Sequence, residues 1–332
     1  MASEQVTHSR ILGTGAYAPE RVVTNHDLEK LVDTSDQWIT ERTGIKQRHI
    51  AREDETASDM AVVAARRALE MAGLAPTDLD MIIVGTISGD VPMPACAVFL
   101  QSKLGAGPIP SFDVSAACAG FLYGMSIADQ FIRSGLHKHV LVVGVELLSR
   151  LVNWQDRTTC VLFGDGAGAA VLGPALGDGR GVLSTKLYTD ASYADSLKIP
   201  AGGSKEPISA EAIAAHRDKV HMVGGDIFKS AVKNLTSASR SALVDAKMDA
   251  DSVRWVVPHQ ANLRIISQVA QRLDIPMERF VLNIERYGNT SSASIPIALD
   301  EGVRDGRIKP GDTVLMCALG AGISWGSALV RM

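Results

Sequence analysis

The sequence predicts an α/β protein with a buried, largely parallel sheet, built as two similar halves. Short apolar runs typical of strands recur along the chain at "MIIVGT", "VLVVGVE", "AAVLG", "RWVVPH" and "DTVLMCALG", and several are separated by longer segments with helical periodicity. Continuous apolar strands that alternate with helices are typical of sheets covered on both faces. With 332 residues, 46% of them hydrophobic, the chain can bury a large core.

Two helices are readable from their periodicity and stop signals. They run from Asp59 to Met71, ended by Gly73, and from Leu263 to Leu273. Residues 190–220 lack a clear period and are rich in small and polar side chains, and we interpret them as a surface excursion over a site.

The two halves share one order of elements: a strand, a long connection, a polar residue that opens a helix, a glycine and a further strand. Cys118 stands 17 residues before Gly135, and Asn289 stands 17 residues before Gly306. Because the two halves share little sequence identity, chance is the alternative explanation. The glycine-rich segment "GPALGDGRG" predicts a boundary that divides the chain into residues 1–177 and 178–332.

Charge and hydropathy exclude several classes of protein. The formal net charge of −4 argues against a protein that binds nucleic acid through an extensive basic surface. No apolar run approaches the roughly 20 residues that span a bilayer, and "MASEQVTHSR" lacks the apolar core of a secretory signal. We expect a soluble, cytosolic protein with no membrane partner.

The four cysteines are spaced singly, which argues against a zinc site and a disulfide framework, so we expect no metal. Cys160 and Cys317 lie in apolar, strand-like runs and are interpreted as buried, inert thiols, and Cys96 as a packing residue. The glycine-rich segments "GTGAYAP" and "FGDGAGAAVL" lack the features of dinucleotide and phosphate loops, so no nucleotide cofactor is assigned.

Cys118, in "DVSAACAGFLYG", lies after a strand and before a helix. The unpaired N–H groups and the dipole of a helix start favour an anion such as a thiolate, and small neighbours leave room for a substrate carbonyl. A small buried cysteine at a tight junction is the alternative.

Two further candidates flank apolar elements in the second half. His259, in "VVPHQANLRII", follows a strand at the end where α/β sites are built, and a structural histidine is the alternative. Asn289, in "ERYGNTSSASIP", precedes a helix and is either functional or an N-cap. The segment "CALGAGISWGS" reads as strand, turn and strand; its turn either donates N–H groups to an oxyanion or is only a hairpin.

Cys118, His259 and Asn289 stand in motifs that resemble the β-ketoacyl-acyl-carrier-protein synthase III family, the initiating condensing enzymes of bacterial type II fatty-acid synthesis. The resemblance covers nearly the whole chain, through "GTGAYAPE", "VDTSDQWITERTGIKQRHI", "DVSAACAGF", "FGDGAGAAVL", "VPHQANLRII", "YGNTSSASIPIALDE", "GRIKPGD" and "WGSALVRM". It implies the thiolase fold, in which two pseudo-symmetric α/β halves form five αβαβα layers, and a homodimer.

The resemblance also implies a reaction. Cys118 would take an acyl group from acyl-coenzyme A, and malonyl-acyl-carrier protein would lose carbon dioxide to an enolate held by His259 and Asn289. The backbone N–H groups of Cys118 and Ala321 would hold the tetrahedral oxyanion. Coenzyme A enters as a substrate, so no cofactor is implied.

Further roles carry over by resemblance. Trp38 and Arg157 would sandwich the adenine, Arg42 would meet the phosphates, and the pantetheine channel would be lined by Thr34, Gly224 and Asn262. The basic patch for the carrier protein would comprise Lys229, Arg264 and Arg272. Met93, from the partner subunit, and Leu319 would border the acyl pocket. Leu319 stands where many members have phenylalanine, and Ala321 where many have glycine.

Two alternatives are left open by the sequence. One is a related condensing or acyl-transfer enzyme of secondary metabolism on the same scaffold. The other is a noncatalytic acyl-binding module, against which the intact set of a thiol and two matched donors argues.

Overall fold

Two mixed sheets form the framework in the computed structural model, which describes residues 8–332. The first sheet has the strand order β1-β7-β6-β4-β5 and the second β11-β12-β13-β8, beside the small pairs β2-β3 and β9-β10. The strands are β1 (Ser9–Tyr17), β2 (Arg21–Thr24), β3 (Gln47–Ile50), β4 (Met81–Gly85), β5 (Ser111–Val114), β6 (Val140–Glu146), β7 (Gly166–Pro174), β8 (Gly181–Thr189), β9 (Leu197–Lys198), β10 (His221–Met222), β11 (Trp255–Pro258), β12 (Thr313–Gly320) and β13 (Ser324–Arg331).

The helices fall into three layers around these sheets. They are α1 (Asn25–Leu28), α2 (Asp36–Thr43), α3 (Ala57–Ala72), α4 (Cys96–Leu104), α5 (Gly120–Arg133), α6 (Ala210–Ala214), α7 (Gly224–Asp245), α8 (Leu263–Leu273), α9 (Ile284–Tyr287) and α10 (Ser294–Arg304). One core joins α3 and α4 to the outer face of the first sheet, a second joins α5 and α10 to the facing sides of both sheets, and a third joins α7 and α8 to the outer face of the second sheet. The predicted αβαβα layering is confirmed.

Strand β6 shows how the sequence produces these layers. Val140 and Val142 pack in the central core, whereas Leu141, Val143 and Val145 pack in the outer one. Side chains alternate along a strand, so a strand buried on both faces must be apolar throughout. The continuous apolar runs of the sequence therefore reflect burial between two helical layers.

The prediction of a largely parallel sheet is wrong. Strand β4 is parallel to β5 and β6, and β11 is parallel to β12, but β7 is antiparallel to β1 and β6, and β13 is antiparallel to β12 and β8. A parallel pair needs a long crossover that usually contains a helix. Only the turn Ala321–Ile323 joins β12 to β13, and the link from β6 to β7 contains a short 3-10 turn, Leu148–Arg150, in place of a helix.

The two readable helices form close to their predicted bounds. Helix α8 spans Leu263–Leu273 as predicted, and α3 begins at Ala57, two residues early, because Thr56 and Asp59 form a capping box there. Gly73 follows α3 in the left-handed conformation, with φ 67°, as its stop signal predicts.

A pseudo-twofold relation links the helices that follow each buried strand, but with a different register from the one read in the sequence. A 3-10 turn precedes α5 at Ala117–Ala119 and α10 at Ser291–Ala293, and the first residue of each turn has a positive φ, 44° and 49°. Cys118 therefore corresponds to Ser292. Helix α10 has 11 residues and α5 has 14, so counting back from the glycine displaced the match by three residues, onto Asn289.

Each helix start lies against a strand of the opposite half. A Cβ on Gly144 in β6 would lie 2.2 Å from the carbonyl oxygen of Ser292, and a Cβ on Gly320 in β12 would lie 2.5 Å from the backbone nitrogen of Cys118. Only glycine allows this approach without displacing the backbone. The two halves therefore meet at the residues that carry the predicted chemistry.

All four cysteines are free and buried. Cys317 lies in β12 as predicted, but Cys160 lies in a turn, where its N–H donates to the carbonyl of Asp156. Burial raises the pKa of Cys160 to about 11 and that of Cys317 to about 12. Both thiols are therefore protonated at neutral pH.

The segment proposed as the boundary lies between the two large sheets. Strand β7 of the first sheet ends at Pro174 and β8 of the second begins at Gly181. Division at residue 177 stays a prediction, and residues 1–7 of the first unit lie outside the described residues. Within residues 8–332, no helix has the length and apolar character needed to cross a membrane.

Candidate active site

Cys118 lies where two cavities meet. It sits in the 3-10 turn between β5 and α5, with 9% of its surface exposed, and it lines both an apolar cavity of about 360 Å³ and a channel of about 220 Å³. The sulfur can therefore be reached from one side while a chain attached to it occupies the other.

Burial dominates the ionisation of this thiol. It raises the pKa of Cys118 to about 12, a hydrogen bond with Ser291 lowers it, and the nearby carboxylate of Glu146 raises it. The favourable field of a helix start is thus outweighed in the free protein. Attack by the sulfur requires the thiol proton to leave as the new bond forms.

His259 follows β11 and points into the channel. Its backbone N–H donates to the carbonyl of Cys317 over 2.8 Å, and burial lowers the pKa of its imidazole to about 3. Nδ1 lies 2.6 Å from the Oγ of Ser294, which accepts a hydrogen bond from the N–H of Gln260 at 3.3 Å. When the Ser294 hydroxyl donates to Nδ1, the neutral ring carries its proton on Nε2, which then serves as a donor.

Replacement of Ser294 by alanine is expected to lower the rate of the condensation implied by the sequence resemblance about 5-fold, because one neutral hydrogen bond contributes about 1 kcal/mol. Ser294→Thr, which retains a hydroxyl, should restore most of the rate. The measurement is single-turnover condensation of the pre-acylated enzyme. An equal loss in both variants would contradict control of the tautomer by this hydroxyl.

Asn289 is held by its backbone and by one side of its amide. Its N–H donates to the carbonyl of Leu162 over 2.9 Å, and its Oδ1 accepts from the N–H of Ser291 at 2.9 Å. The predicted N-cap role is not observed, because Thr290 is the N-cap of the 3-10 turn and has no side-chain cap bond, whereas Asn289 forms an Asx turn with Ser291. The Asx turn uses only the oxygen, so Nδ2 is left as a donor at the channel wall.

The channel connects the predicted coenzyme A residues with the reactive ones. Its walls include the exposed Arg157 beside Trp38, the buried Cys118, His259 and Asn289, and also Gly224, Asn262 and Leu319. The structure thus brings together eight residues selected from the sequence for catalysis and substrate binding.

The outer end of the channel is built around Trp38. The guanidinium carbons of Arg42 and Arg157 lie 5.0 and 5.4 Å from its ring centroid, and Nη1 of Arg157 donates to the carbonyl of Asp33 over 2.8 Å. Arg157 therefore stacks on Trp38 itself, where the sequence places an adenine between them.

Three of the predicted coenzyme A residues have structural partners or lie off the channel wall. Asn262 caps α8 by accepting from the N–H of Arg264, and its Nδ2 donates to the carbonyl of Arg42 over 3.0 Å. Thr34 and Arg42 do not line the channel, and the buried Oγ1 of Thr34 has no hydrogen-bond partner among residues 8–332.

The apolar cavity lies beyond Cys118. Its walls include Ile87, Leu148 and Phe163 together with Leu197, Ile199 and Val220 from the predicted surface excursion. The excursion thus covers the cavity, as interpreted. Met93 is 84% exposed and lines neither cavity in one chain, and Leu319 lines the channel rather than the apolar cavity.

The turn after β12 faces the same sulfur. Ala321 and Cys118 line one cavity, and the left-handed conformation in this turn falls on Gly322, with φ 129°, rather than on Ala321. Alanine at position 321 therefore has no conformational cost and keeps its N–H.

Comparisons with known proteins agree with this geometry. Residues 112–191 match the family model for 3-oxoacyl-[acyl-carrier-protein] synthase III, and residues 243–332 match the model for its C-terminal part. The chain is 52% identical over 324 residues to β-ketoacyl-[acyl-carrier-protein] synthase III of Methylococcus capsulatus, covering 98% of this chain and 99% of that protein. The chain belongs to the β-ketoacyl-[acyl-carrier-protein] synthase III family. It is therefore a condensing acyltransferase with the thiolase fold.

Solved structures extend the comparison. The crystal structure of 3-oxoacyl-[acyl-carrier-protein] synthase III from Aquifex aeolicus is similar with a TM-score of 0.90 and 46% identity, covering 98% of this chain and all of that one. The priming β-ketosynthase from the R1128 polyketide pathway is similar with a TM-score of 0.92 and 38% identity, covering 99% and 98%.

The basic residues assigned by family resemblance fall in two places. Lys229 and Arg264 are exposed, and the guanidinium carbon of Arg264 lies 5.7 Å from the ring of Phe228, which lines the channel. Arg272 lines a separate cleft with Lys186 and other basic side chains. The structure thus places Arg264, but not Arg272, beside the channel of this synthase III.

Sequence reasoning missed three polar residues of the site: Glu146, Ser291 and Ser294. A glutamate that closes the apolar run "VLVVGVE" is the signal for the first, because a charge at the end of a buried strand must have partners. The hydroxyl-rich stretch after Asn289 is the signal for the other two.

Proposed function

We propose that this synthase III condenses an acyl-coenzyme A starter with malonyl-acyl-carrier protein, releasing carbon dioxide and forming the 3-ketoacyl-carrier protein that initiates type II fatty-acid synthesis. One observation carries the proposal: a narrow channel ends where a thiol and two neutral donors meet, and an apolar cavity opens beyond the thiol. The channel suits a pantetheine arm, and the cavity suits an acyl chain.

In the first half-reaction the channel holds the pantetheine arm of the starter, with the adenine at Trp38. Because Arg157 stacks on that ring in the free protein, adenine binding between them requires Arg157 to release Asp33 and move outward. The sulfur of Cys118 attacks the thioester carbonyl, whose oxyanion is held by the N–H groups of Cys118 and Ala321. The acyl chain then enters the apolar cavity as coenzyme A leaves.

In the second half-reaction the malonyl thioester occupies the same channel. Loss of carbon dioxide leaves an enolate whose oxygen accepts from Nε2–H of His259 and Nδ2–H of Asn289. Neutral donors suit this step because burial keeps His259 uncharged at neutral pH. The carbanion attacks the acyl-cysteine, and the thiolate of Cys118 leaves. These steps use no cofactor, and coenzyme A enters only as the carrier of a substrate.

The carrier protein is proposed to dock beside Phe228, where Lys229 and Arg264 place positive charge at the channel. Arg264→Glu is expected to raise the KM for malonyl-acyl-carrier protein about 10-fold, as for the loss of a favourable charge contact. Lys309→Glu, an equal charge change at another exposed site, is the matched control. Equal effects of the two variants would contradict docking at this place.

A homodimer is part of the same proposal. Met93 presents an apolar side chain at the surface, and β5 lies at the edge of the first sheet in the single chain. A second chain paired along this face would let Met93 reach the partner's acyl cavity. The cytosolic location expected from the sequence likewise stays a prediction.

Steady-state kinetics test the proposed function. Acyl-coenzyme A and malonyl-acyl-carrier protein are varied together, and the 3-ketoacyl product is identified by mass spectrometry. A covalent relay predicts a ping-pong pattern, with no product from Cys118→Ser. Sequential kinetics would contradict the relay, and binding without turnover would support a noncatalytic module instead.

A further inference from the structure

Glu146 is a buried acidic residue that has no role in the two half-reactions described above. It closes β6 after six apolar or glycine positions and has no exposed surface. Its Oε2 accepts from the hydroxyls of Ser88 at 2.5 Å and Thr86 at 3.4 Å and from the N–H of Ile87 at 3.2 Å. Its Oε1 accepts from the hydroxyl of Ser291 at 3.1 Å.

No cation balances this carboxyl. Among residues 8–332, no lysine, arginine or histidine nitrogen lies within 4.0 Å of it, and the groups that face it are the four donors and the thiol of Cys118. Burying a carboxylate without a cation is costly, and burial raises the pKa of Glu146 to about 7. The carboxyl therefore exchanges a proton near neutral pH, which is the property of an acceptor.

Ser291 connects this carboxyl with the nucleophile. Its hydroxyl donates to Glu146, and its N–H donates to Oδ1 of Asn289. Ser291 also lines the apolar cavity together with Cys118, where its hydroxyl lowers the pKa of the thiol. Its φ of 49° is an unfavourable conformation for a serine, one the surrounding structure maintains. One hydroxyl thus lies next to both the thiol that lines the two cavities and a buried carboxyl.

We propose that Ser291 passes the thiol proton of Cys118 to Glu146 as the sulfur attacks the acyl-coenzyme A. The S–H proton moves to Oγ of Ser291, and the hydroxyl's own proton moves to Oε1 of Glu146. The sulfur electron pair forms the new C–S bond, and the bond to the coenzyme A sulfur breaks. The released thiolate takes a proton from water. Because Glu146 acts through Ser291 without touching substrate, it is a positioning residue.

The proton returns in the second half-reaction. When the thiolate of Cys118 leaves the tetrahedral intermediate, Ser291 donates to it and Glu146 restores the serine hydroxyl. Before acylation the negative charge is on the carboxyl of Glu146. In the acyl-enzyme the carboxyl is protonated and the sulfur is bound in a neutral thioester, because the charge has left with coenzyme A. The transfer avoids a second buried anion, because forming a thiolate beside an ionised Glu146 is costly.

A purely electrostatic role predicts the opposite outcome. If Glu146 acts only as a nearby negative charge, its removal lowers the pKa of the thiol and accelerates its reactions. If Glu146 receives the proton, its removal slows them. The two roles therefore predict changes of opposite sign in the reaction rates of the thiol. A change in packing alone leaves the pH dependence of these rates unaltered.

The test measures alkylation of Cys118 by iodoacetamide and its acylation by acyl-coenzyme A in a single turnover, across neutral pH. The variants are Glu146→Gln and Ser291→Ala. Asp129→Asn is the control, because Asp129 is also a buried carboxyl and accepts hydrogen bonds from the N–H and hydroxyl of Ser9. In the parent enzyme both rates should fall as pH drops through about 7, where Glu146 becomes protonated. Both variants should be about 10²-fold slower at neutral pH and lack this decrease, whereas the control keeps it.

The inference rests on the proposed function for its acylation measurement, whereas the alkylation measurement requires only a reactive thiol at Cys118. Parent-level or faster alkylation in a folded Glu146→Gln variant would overturn the relay while leaving the condensing function intact. If the parent is alkylated but never acylated, the proposed function fails and the alkylation profile still decides the relay. If Glu146→Gln does not fold, Ser291→Ala decides it, and Ser291→Thr should recover the rate.

Discussion

His259→Ala and Asn289→Ala are each expected to lower formation of 3-ketoacyl-carrier protein by about 10²- to 10³-fold, the usual cost of losing one oxyanion donor. Acylation of Cys118 should stay close to the parent rate. The reason is that the proposed mechanism assigns Nε2 of the imidazole and Nδ2 of the amide to the enolate, whereas the acyl step uses backbone N–H groups.

The two half-reactions are measured separately to check this division. Acylation is followed by mass spectrometry, and condensation by adding malonyl-acyl-carrier protein to enzyme that is already acylated. His26→Ala, at an exposed histidine, is the control. Loss of acylation together with condensation would show that His259 or Asn289 acts on the thiol itself, against the roles assigned here.

Gly144→Ala is expected to lower the free energy of unfolding by about 3 kcal/mol, the upper range for overpacking. The added Cβ would lie 2.2 Å from the carbonyl oxygen and 2.7 Å from the carbonyl carbon of Ser292. Both are backbone atoms in the 3-10 turn that precedes α10, so no rotamer change relieves the clash. The strand and the helix start must separate, which also displaces Ser291 next to the thiol.

Chemical denaturation measures this loss, with Gly203→Ala as the control. No heavy atom lies within 4 Å of a Cβ at Gly203, and its φ is outside the left-handed region, so the control should change stability by less than about 1 kcal/mol. Equal stability of the two variants would mean that the halves do not approach as closely at Gly144 as described.

The fold was predictable where local signals suffice. Periodicity and an N-cap define α8, and "GAGIS" predicts the turn between β12 and β13. The prediction of mostly parallel strands is wrong because continuous apolar runs indicate burial on both faces of a sheet and do not indicate the direction of strand pairing. The short turn at Ala321–Ile323 is the local signal for strand direction, because it leaves no room for the crossover of a parallel pair and β12 and β13 are antiparallel.

The site was predictable where each residue stands at the end of its own strand or the start of its own helix, as Cys118 and His259 do. Glu146 and Ser291 were missed because their contact joins residues 145 positions apart. That contact exists only because the pseudo-twofold relation sets β6 of one half against the helix start of the other. No local pattern encodes such a pairing.

Intact-protein mass spectrometry tests the central claim most directly. The enzyme is mixed with coenzyme A thioesters from acetyl to dodecanoyl, beside Cys118→Ser, and its mass is measured before any carrier protein is added. The account predicts a gain of one acyl group per chain that is absent in the variant, and the preferred thioester reports the starter that fits the apolar cavity. No adduct with any thioester, or an adduct that persists in Cys118→Ser, would contradict Cys118 as the acyl carrier.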